Sequence, residues 1–192
     1  GLHGNDLCTV CQIFHVQNLR GYIMKSDATN NAEAQAWAQY ESIAAMVAAL
    51  DCDYDRLEEL REEKKAYADE KDCEENEWAA ENPEDAEELK DLEEAANGMA
   101  SEEEAQEAIQ EDPLCIDVRS DWVTPGEDME ASEFRIVLCT GGPHVEIVGD
   151  LDHYKQPCSV RILYKDWGDS GSIYGFDSSI VKRYCAQFFF GE

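Results

Sequence analysis

Alternation and helical spacing divide the chain into three stretches. Leu7 to Val16 is rich in Val, Ile, Phe and Thr and reads as a strand. Asn18–Gly21 supplies turn chemistry, and Tyr22-Ile23-Met24 returns as a second strand. From about Asn31 to Leu50 the period changes. Trp37, Tyr40, Ile43, Ala44, Val47 and Ala48 recur three or four residues apart, with Ala in most gaps. That spacing predicts a helix apolar around most of its circumference, and therefore buried.

In residues 51–112 the apolar positions thin out. Leu57, Leu60, Tyr67 and Trp78 fall on a sparse heptad seam, with Lys64 and Lys71 at seam positions between them. The helix they predict stops at Asn82-Pro83, because a residue before proline disfavours the α conformation. Ala86, Leu89, Leu92 and Ala96 mark a second stripe, with Gly98 as its stop. Ser101 and Glu104 have the spacing of a capping box, opening a short helix that ends before Asp112-Pro113. Narrow stripes of this kind bury themselves most simply against each other, in an antiparallel helical hairpin.

Beyond Pro113 the period is two. Leu114–Asp121 alternates through Leu114, Ile116 and Val118. Phe134–Thr140 and Val145–Leu151 flank Gly141-Gly142-Pro143, a hairpin signal, and Val160–Trp167 is a further strand before the turn-like Gly168-Asp169-Ser170-Gly171. Asp177 or Ser178 caps a last helix carrying Ile180, Val181, Tyr184 and Phe188. The expected class is α+β, an antiparallel β-sheet with packed helices plus an acidic helical hairpin arm. Three regions follow: N-terminal strands and buried helix (1–50), acidic arm (51–112) and β-rich domain (113–192), the first and last forming one folded unit.

Charge changes this picture most. The chain has 192 residues, 44 acidic and 15 basic, for a net charge of −29. Residues 51–112 hold 27 of the acidic and 6 of the basic residues, net −21. A soluble domain does well with a magnitude of roughly 2–8, so this excess serves something beyond solubility. It repels nucleic acid and anionic lipid and attracts basic protein surfaces. If residues 51–112 were all helical, their summed length would be about 93 Å. Their carboxylates would then recur roughly every 3.4 Å, the phosphate spacing along one DNA strand. That match is the case for nucleic-acid mimicry. A solvated helix face is the bland reading, yet such faces interleave Lys at i+4 and this one is short of Lys.

Other chemistry is thinner. Asp51, Asp53, Asp55, Glu59 and Glu62 stand at positions 1, 3, 5, 9 and 12 of an EF-hand loop, but Arg56 takes the glycine position and Glu58 an apolar one. Cys8-x-x-Cys11 has no second pair, and His3 and His15 lack ligand spacing, so these thiols read as structural. His144 and His153 sit in no nucleophile motif, and no phosphate-cradling loop occurs, so neither catalysis nor a cofactor is expected. The opening GLHGNDLCTV has no basic region followed by an apolar run, and no apolar stretch reaches about 18 residues. Reduced thiols and a cytoplasmic location are expected.

The acidic stretch, with Arg61-Glu62-Glu63 and Ser101-Glu102-Glu103-Glu104, resembles the small acidic proteins that phages and plasmids use against restriction or CRISPR systems. That likeness covers about a third of the chain. The C-terminal Gly142-Pro143-His144-Val145, Asp166-Trp167-Gly168 and Gln187-Phe188-Phe189-Phe190-Gly191-Glu192 are similar to tails of phage and plasmid proteins. The resemblance implies an inhibitor that occupies the DNA- or RNA-binding groove of a host defence complex, a CRISPR effector first and a restriction enzyme second. The expected partner is that complex's basic nucleic-acid-binding protein, with no nucleic acid or membrane bound directly. The expected contact set is Glu58, Glu59, Glu62, Glu63, Glu74, Glu75, Glu77, Glu84, Asp85, Glu87, Glu88, Glu102, Glu103 and Glu104, with Trp78 in the seam or at the interface. The sparse seam leaves room for a homodimer. Two other readings are a module whose β domain recognises the partner while the arm solubilises, and general shielding of basic proteins.

Overall fold

Ala32, Ala36, Tyr40, Ile43, Val47 and Leu50 recur at steps of three or four and are buried along one side of helix α1 (Asn31–Leu50). The computed structural model to which α1 belongs describes residues 31–71 and 75–191, the side chains of Glu75 and Asn76 excepted. The strands expected at Leu7–Val16 and Tyr22–Met24, the Cys8–Cys11 pair and Glu74 lie outside the described residues. The expected helix has the expected bounds, but its burial is one-sided, with Ala48 exposed and Ala44 half-buried. Alanine is small enough for either environment, so its spacing carries little information about burial.

The side of α1 that is buried shares a core with an antiparallel sheet of five strands: β1 (Cys115–Ser120), β2 (Ala131–Cys139), β3 (His144–Asp150), β4 (Arg161–Asp166) and β5 (Asp169–Ser172). Neighbours in the sheet are neighbours in the chain, so the strands form a meander. A row of isoleucines crosses its inner face. Ile116 is opposite Ile136, Ile136 opposite Ile147, and Ile147 opposite Ile162. Ile173 closes the row, its N–H donating to the Ile162 carbonyl at 3.2 Å.

The stretch Asp169–Ser172 pairs with β4 as a strand, where a turn was expected. The turn is only Trp167-Gly168, with Gly168 at φ +97°. Gly171 is a strand residue for a non-local reason, since a Cβ there would lie 2.6 Å from the Tyr164 hydroxyl. The acidic segment forms the helices α2 (Tyr54–Lys71), α3 (Glu75–Glu81), α4 (Pro83–Ala96) and α5 (Glu102–Glu111).

Leu57 and Leu60 of α2 meet Trp78 of α3 and Leu89 and Ala96 of α4 in a second core. The single helix expected to carry Leu57 through Trp78 is divided. Lys71 Nζ donates to the Tyr67 hydroxyl at 2.8 Å and to Glu81 at 2.7 Å. A straight helix would hold Tyr67 and Glu81 about 21 Å apart, so α3 packs back against α2 instead of continuing it. That packing lays the large Trp78 ring over the leucine stripe, leaving it only 4% exposed. Pro83 opens α4 at its first turn, where a missing N–H costs nothing, and Asn97 ends it in the left-handed conformation at φ 50°.

Helix α5 belongs by charge with α2–α4 and by packing with the sheet, since Ile109 joins the first core. Ser101 caps it through the Glu104 N–H, while the Glu104 carboxylate accepts from the Ala100 N–H at 2.6 Å. The last helix, α6 (Ser178–Cys185), is capped by Asp177 and inserts Val181, Tyr184 and Cys185 into the first core. No described helix is long and apolar enough to cross a membrane.

Candidate functional site: an ordered carboxylate surface

Helices α2 and α4 each spend one narrow side on the second core, and the remaining positions are mostly acidic. In α2, Leu57 and Leu60 point inward; helical phase sets Asp55, Glu62 and Asp69, seven residues apart, along the opposite line. Of the 24 acidic residues in 51–112 whose side chains are described, 21 are exposed and none is buried. The carboxylates therefore form the surface of this segment rather than a charge lost in its interior.

Density along each helix can now be assigned. Seven carboxylates lie on the 18 residues of α2 and seven on the 14 of α4. At about 1.5 Å per residue they recur roughly every 4 Å and every 3 Å, bracketing the 3.4 Å of a phosphate strand. The spacing expected over the summed helical length is kept in the separate helices.

Three of the basic residues act between helices. Arg56 of α2 is held at 2.8 Å from both Glu59 and Glu88 and at 3.5 Å from Asp85. Its hydrogen bonds to Glu88 and then Glu59 raise its pKa further above the usual arginine value. Arg61 reaches Glu93 of α4 at 3.3 Å. Lys71 spans to Glu81 of α3; that bond first, and the Tyr67 hydroxyl second, lower the Glu81 pKa. These cations hold the helices together on their flanks and leave the outward line of α2 acidic.

Within the expected contact set, Glu58, Glu59, Glu62, Glu63, Glu77, Glu84, Glu87, Glu88, Glu102, Glu103 and Glu104 are exposed and Asp85 is half-buried. The structure brings Glu59, Asp85 and Glu88 together around Arg56, which occupies them, and Glu104 serves as a cap. Glu74 and the side chain of Glu75 are outside the described residues. Asp55 and Asp69, outside that set, share the outward line of α2 with Glu62 at seven-residue steps. Trp78 belongs to the core rather than the interface.

The EF-hand spacing resolves into a helix start. The Asp53 carboxylate accepts the Arg56 N–H at 3.0 Å, so it caps α2, and Asp55, Glu59 and Glu62 follow on the helix itself. Among the described residues no group of three or more His, Cys, Asp or Glu is arranged to hold a metal ion.

The outer face of the sheet carries a separate polar cluster. Glu146 is buried, with Lys165 Nζ 2.9 Å from one oxygen and His144 Nε2 3.0 Å from the other. Burial pushes its carboxyl up, but the hydrogen bonds from Lys165 and His144 outweigh that, and the net shift is downward. Beside it, Gly141, Gly142, Trp167 and Gly168 line a shallow concavity. Near His153 the carboxylates have local work. Asp150 accepts from the Ser159 hydroxyl, and Asp152 accepts the N–H groups of Tyr154 and Gln156 at 2.8 and 2.9 Å. No protein-family model, curated protein or solved structure matches the chain, so its own residues are what speak for its chemistry.

Proposed function

We propose that the protein is a nucleic-acid mimic that blocks the DNA- or RNA-binding groove of a host defence complex in the cytoplasm, a CRISPR effector first and a restriction enzyme second. One observation carries this reading. The exposed carboxylates ride on ordered helices at close to phosphate spacing, while Arg56, Arg61 and Lys71 are directed to neighbouring helices. A basic groove built to follow a phosphate strand has complementary spacing and charge.

The test is capture of the bound protein from a host lysate at two salt concentrations, followed by competition with nucleic acid. Binding through this surface weakens steeply as salt rises. A quadruple variant, E58K/E62K/E87K/E103K, loses both capture and inhibition. Intact binding and inhibition in a folded quadruple variant overturn the proposal.

A further inference from the structure

The isoleucine row ends abruptly. Ile136, Ile147, Ile162 and Ile173 are at most 2% exposed, whereas Ile116, the next in the row, is 39% exposed. On the same face of β1, Leu114 and Val118 are 59% and 49% exposed. Among the described residues the helical layer covers four strands and stops short of the fifth. β1 is also an edge strand among the described residues, with its outer backbone groups unpaired in the sheet. The opposite edge, β5, has only four residues, Asp-Ser-Gly-Ser, and is blunted by its shortness. β1 has six residues and runs without a bulge of its own, since the extra residue at the Arg119/Ser120 shift lies in β2.

We propose that β1 is the interface of a symmetric dimer, in which two copies pair antiparallel with Val118 of each facing the other across the twofold axis. This is independent of the carboxylate surface. The argument is self-complementarity of the strand. A twofold axis perpendicular to the sheet keeps each residue on its own face, so only registers that pair odd with odd and even with even numbers preserve the apolar side.

Few such registers exist. Centring on Asp117 sets that carboxylate against itself, and centring on Arg119 opposes two guanidinium groups; like charges directly opposite destabilise a pair. Centring on Ile116 places Asp117 opposite Cys115 and makes no charge pair. Centring on Val118 places Asp117 opposite Arg119 of the second copy, twice by symmetry. Charges of one sign would guard this edge against pairing; opposite signs two residues apart match themselves instead.

The neighbouring strand extends the match. Asp117 already accepts from Arg135 Nη2 at 2.7 Å, and Arg119 Nε donates to Glu133 at 3.0 Å. Across the interface the outer face therefore reads Arg135, Asp117, then Arg119 and Glu133 of the second copy, alternating in sign throughout. On the inner face the uncovered Ile116 and Val118 meet the corresponding edge of the other copy, and the two five-stranded sheets become one of ten strands.

Sedimentation of the full chain, at enough salt to screen repulsion between the two acidic segments, provides the test. The wild type sediments as a dimer at micromolar concentration. D117R alone and R119D alone each oppose like charges twice, and each weakens association by roughly tenfold or more. An equimolar mixture of the two variants sediments as a dimer again, because each presents the charges that the other lacks. V118K, which brings two ammonium groups together at the axis, is monomeric, and circular dichroism establishes that each variant is folded. A monomeric wild type, single variants that remain dimeric, or a mixture of folded variants that stays monomeric overturns the proposal.

Discussion

Tyr184 donates a 2.6 Å hydrogen bond from its buried hydroxyl to the Asp112 carboxylate, while its neighbour Arg183 reaches Asp51 at 3.0 Å. Asp51 and Asp112 are the first and last residues of the acidic segment, so two adjacent residues of α6 hold both its entry and its exit. This grip connects the carboxylate surface to the sheet. Ile109 of α5 adds a second tie to the sheet, and the second core holds the helices that carry the charges to one another.

The Tyr184 bond has a signature at alkaline pH. Burial first, and the bond to Asp112 second, hold the phenol far above its ordinary value of 10.0. The unfolded chain loses this proton above about pH 10 while the folded chain retains it, so stability falls as pH rises beyond that point. Y184F removes this contribution to the slope. At neutral pH it costs about 1 kcal/mol, since half-buried Asp112 can rehydrate. Thermal melts of wild type and Y184F between neutral pH and pH 11 measure both effects.

Trp78 is the keystone of the second core, and W78A costs about 3–5 kcal/mol there. The two cores are separate clusters, so the loss falls on α2–α4 and spares the sheet. Hydrogen exchange checks this. Amides of Leu57–Leu60 and Leu89–Leu92 lose protection in W78A, while those of Ile147 and Ile162 keep theirs. Uniform loss across both sets contradicts a two-core molecule.

How far these features could be read from the sequence depended on whether their causes were local. Helix α1 was legible because a buried side repeats every three or four residues, and the Asp177 cap because it bonds two residues on. The division of α2 from α3 was not, since Leu57 and Trp78 are 21 residues apart and stay in heptad phase whether or not α3 packs back against α2. β5 was hidden because Gly171 is explained only by the Tyr164 ring across the sheet. In the candidate site the carboxylates themselves were plain in the composition. The role of Arg56 was not, because nothing along α2 reveals that Asp85 and Glu88 will face it.

Glu146 makes an acid-side prediction. Its pKa is lowered in the fold, so its contribution is present above the ordinary value of 4.5 and lost as pH falls through the depressed one. E146Q is therefore less stable than wild type at neutral pH, with Lys165 and His144 deprived of their shared anion. The gap narrows on acidification, because the wild type then carries a protonated carboxyl as well. Denaturant midpoints at pH 7 and pH 3 read the difference; a gap that widens toward pH 3 rejects the role assigned to this cluster.

The carboxylate line on α2 sets stability against function, and one substitution separates them. Glu62 stands between Asp55 and Asp69 on the outward line, four residues after Glu58 and three after Glu59. In E62K the new ammonium follows Glu58 and Glu59 at both helical spacings, replacing repulsion with attraction worth about 0.2–0.5 kcal/mol per pair, and these two pairs outweigh the one with Lys65 that turns repulsive. The melting temperature therefore rises slightly. Added salt raises it for the wild type too, by screening repulsion among the same charges. Capture of the basic partner moves the other way, weakening in E62K and with salt. Calorimetry and a binding assay on the same preparations compare the two. If the line only solubilised the protein, E62K would gain stability and bind its partner unchanged; paired opposite shifts mark a surface that keeps its repulsion because the partner requires it.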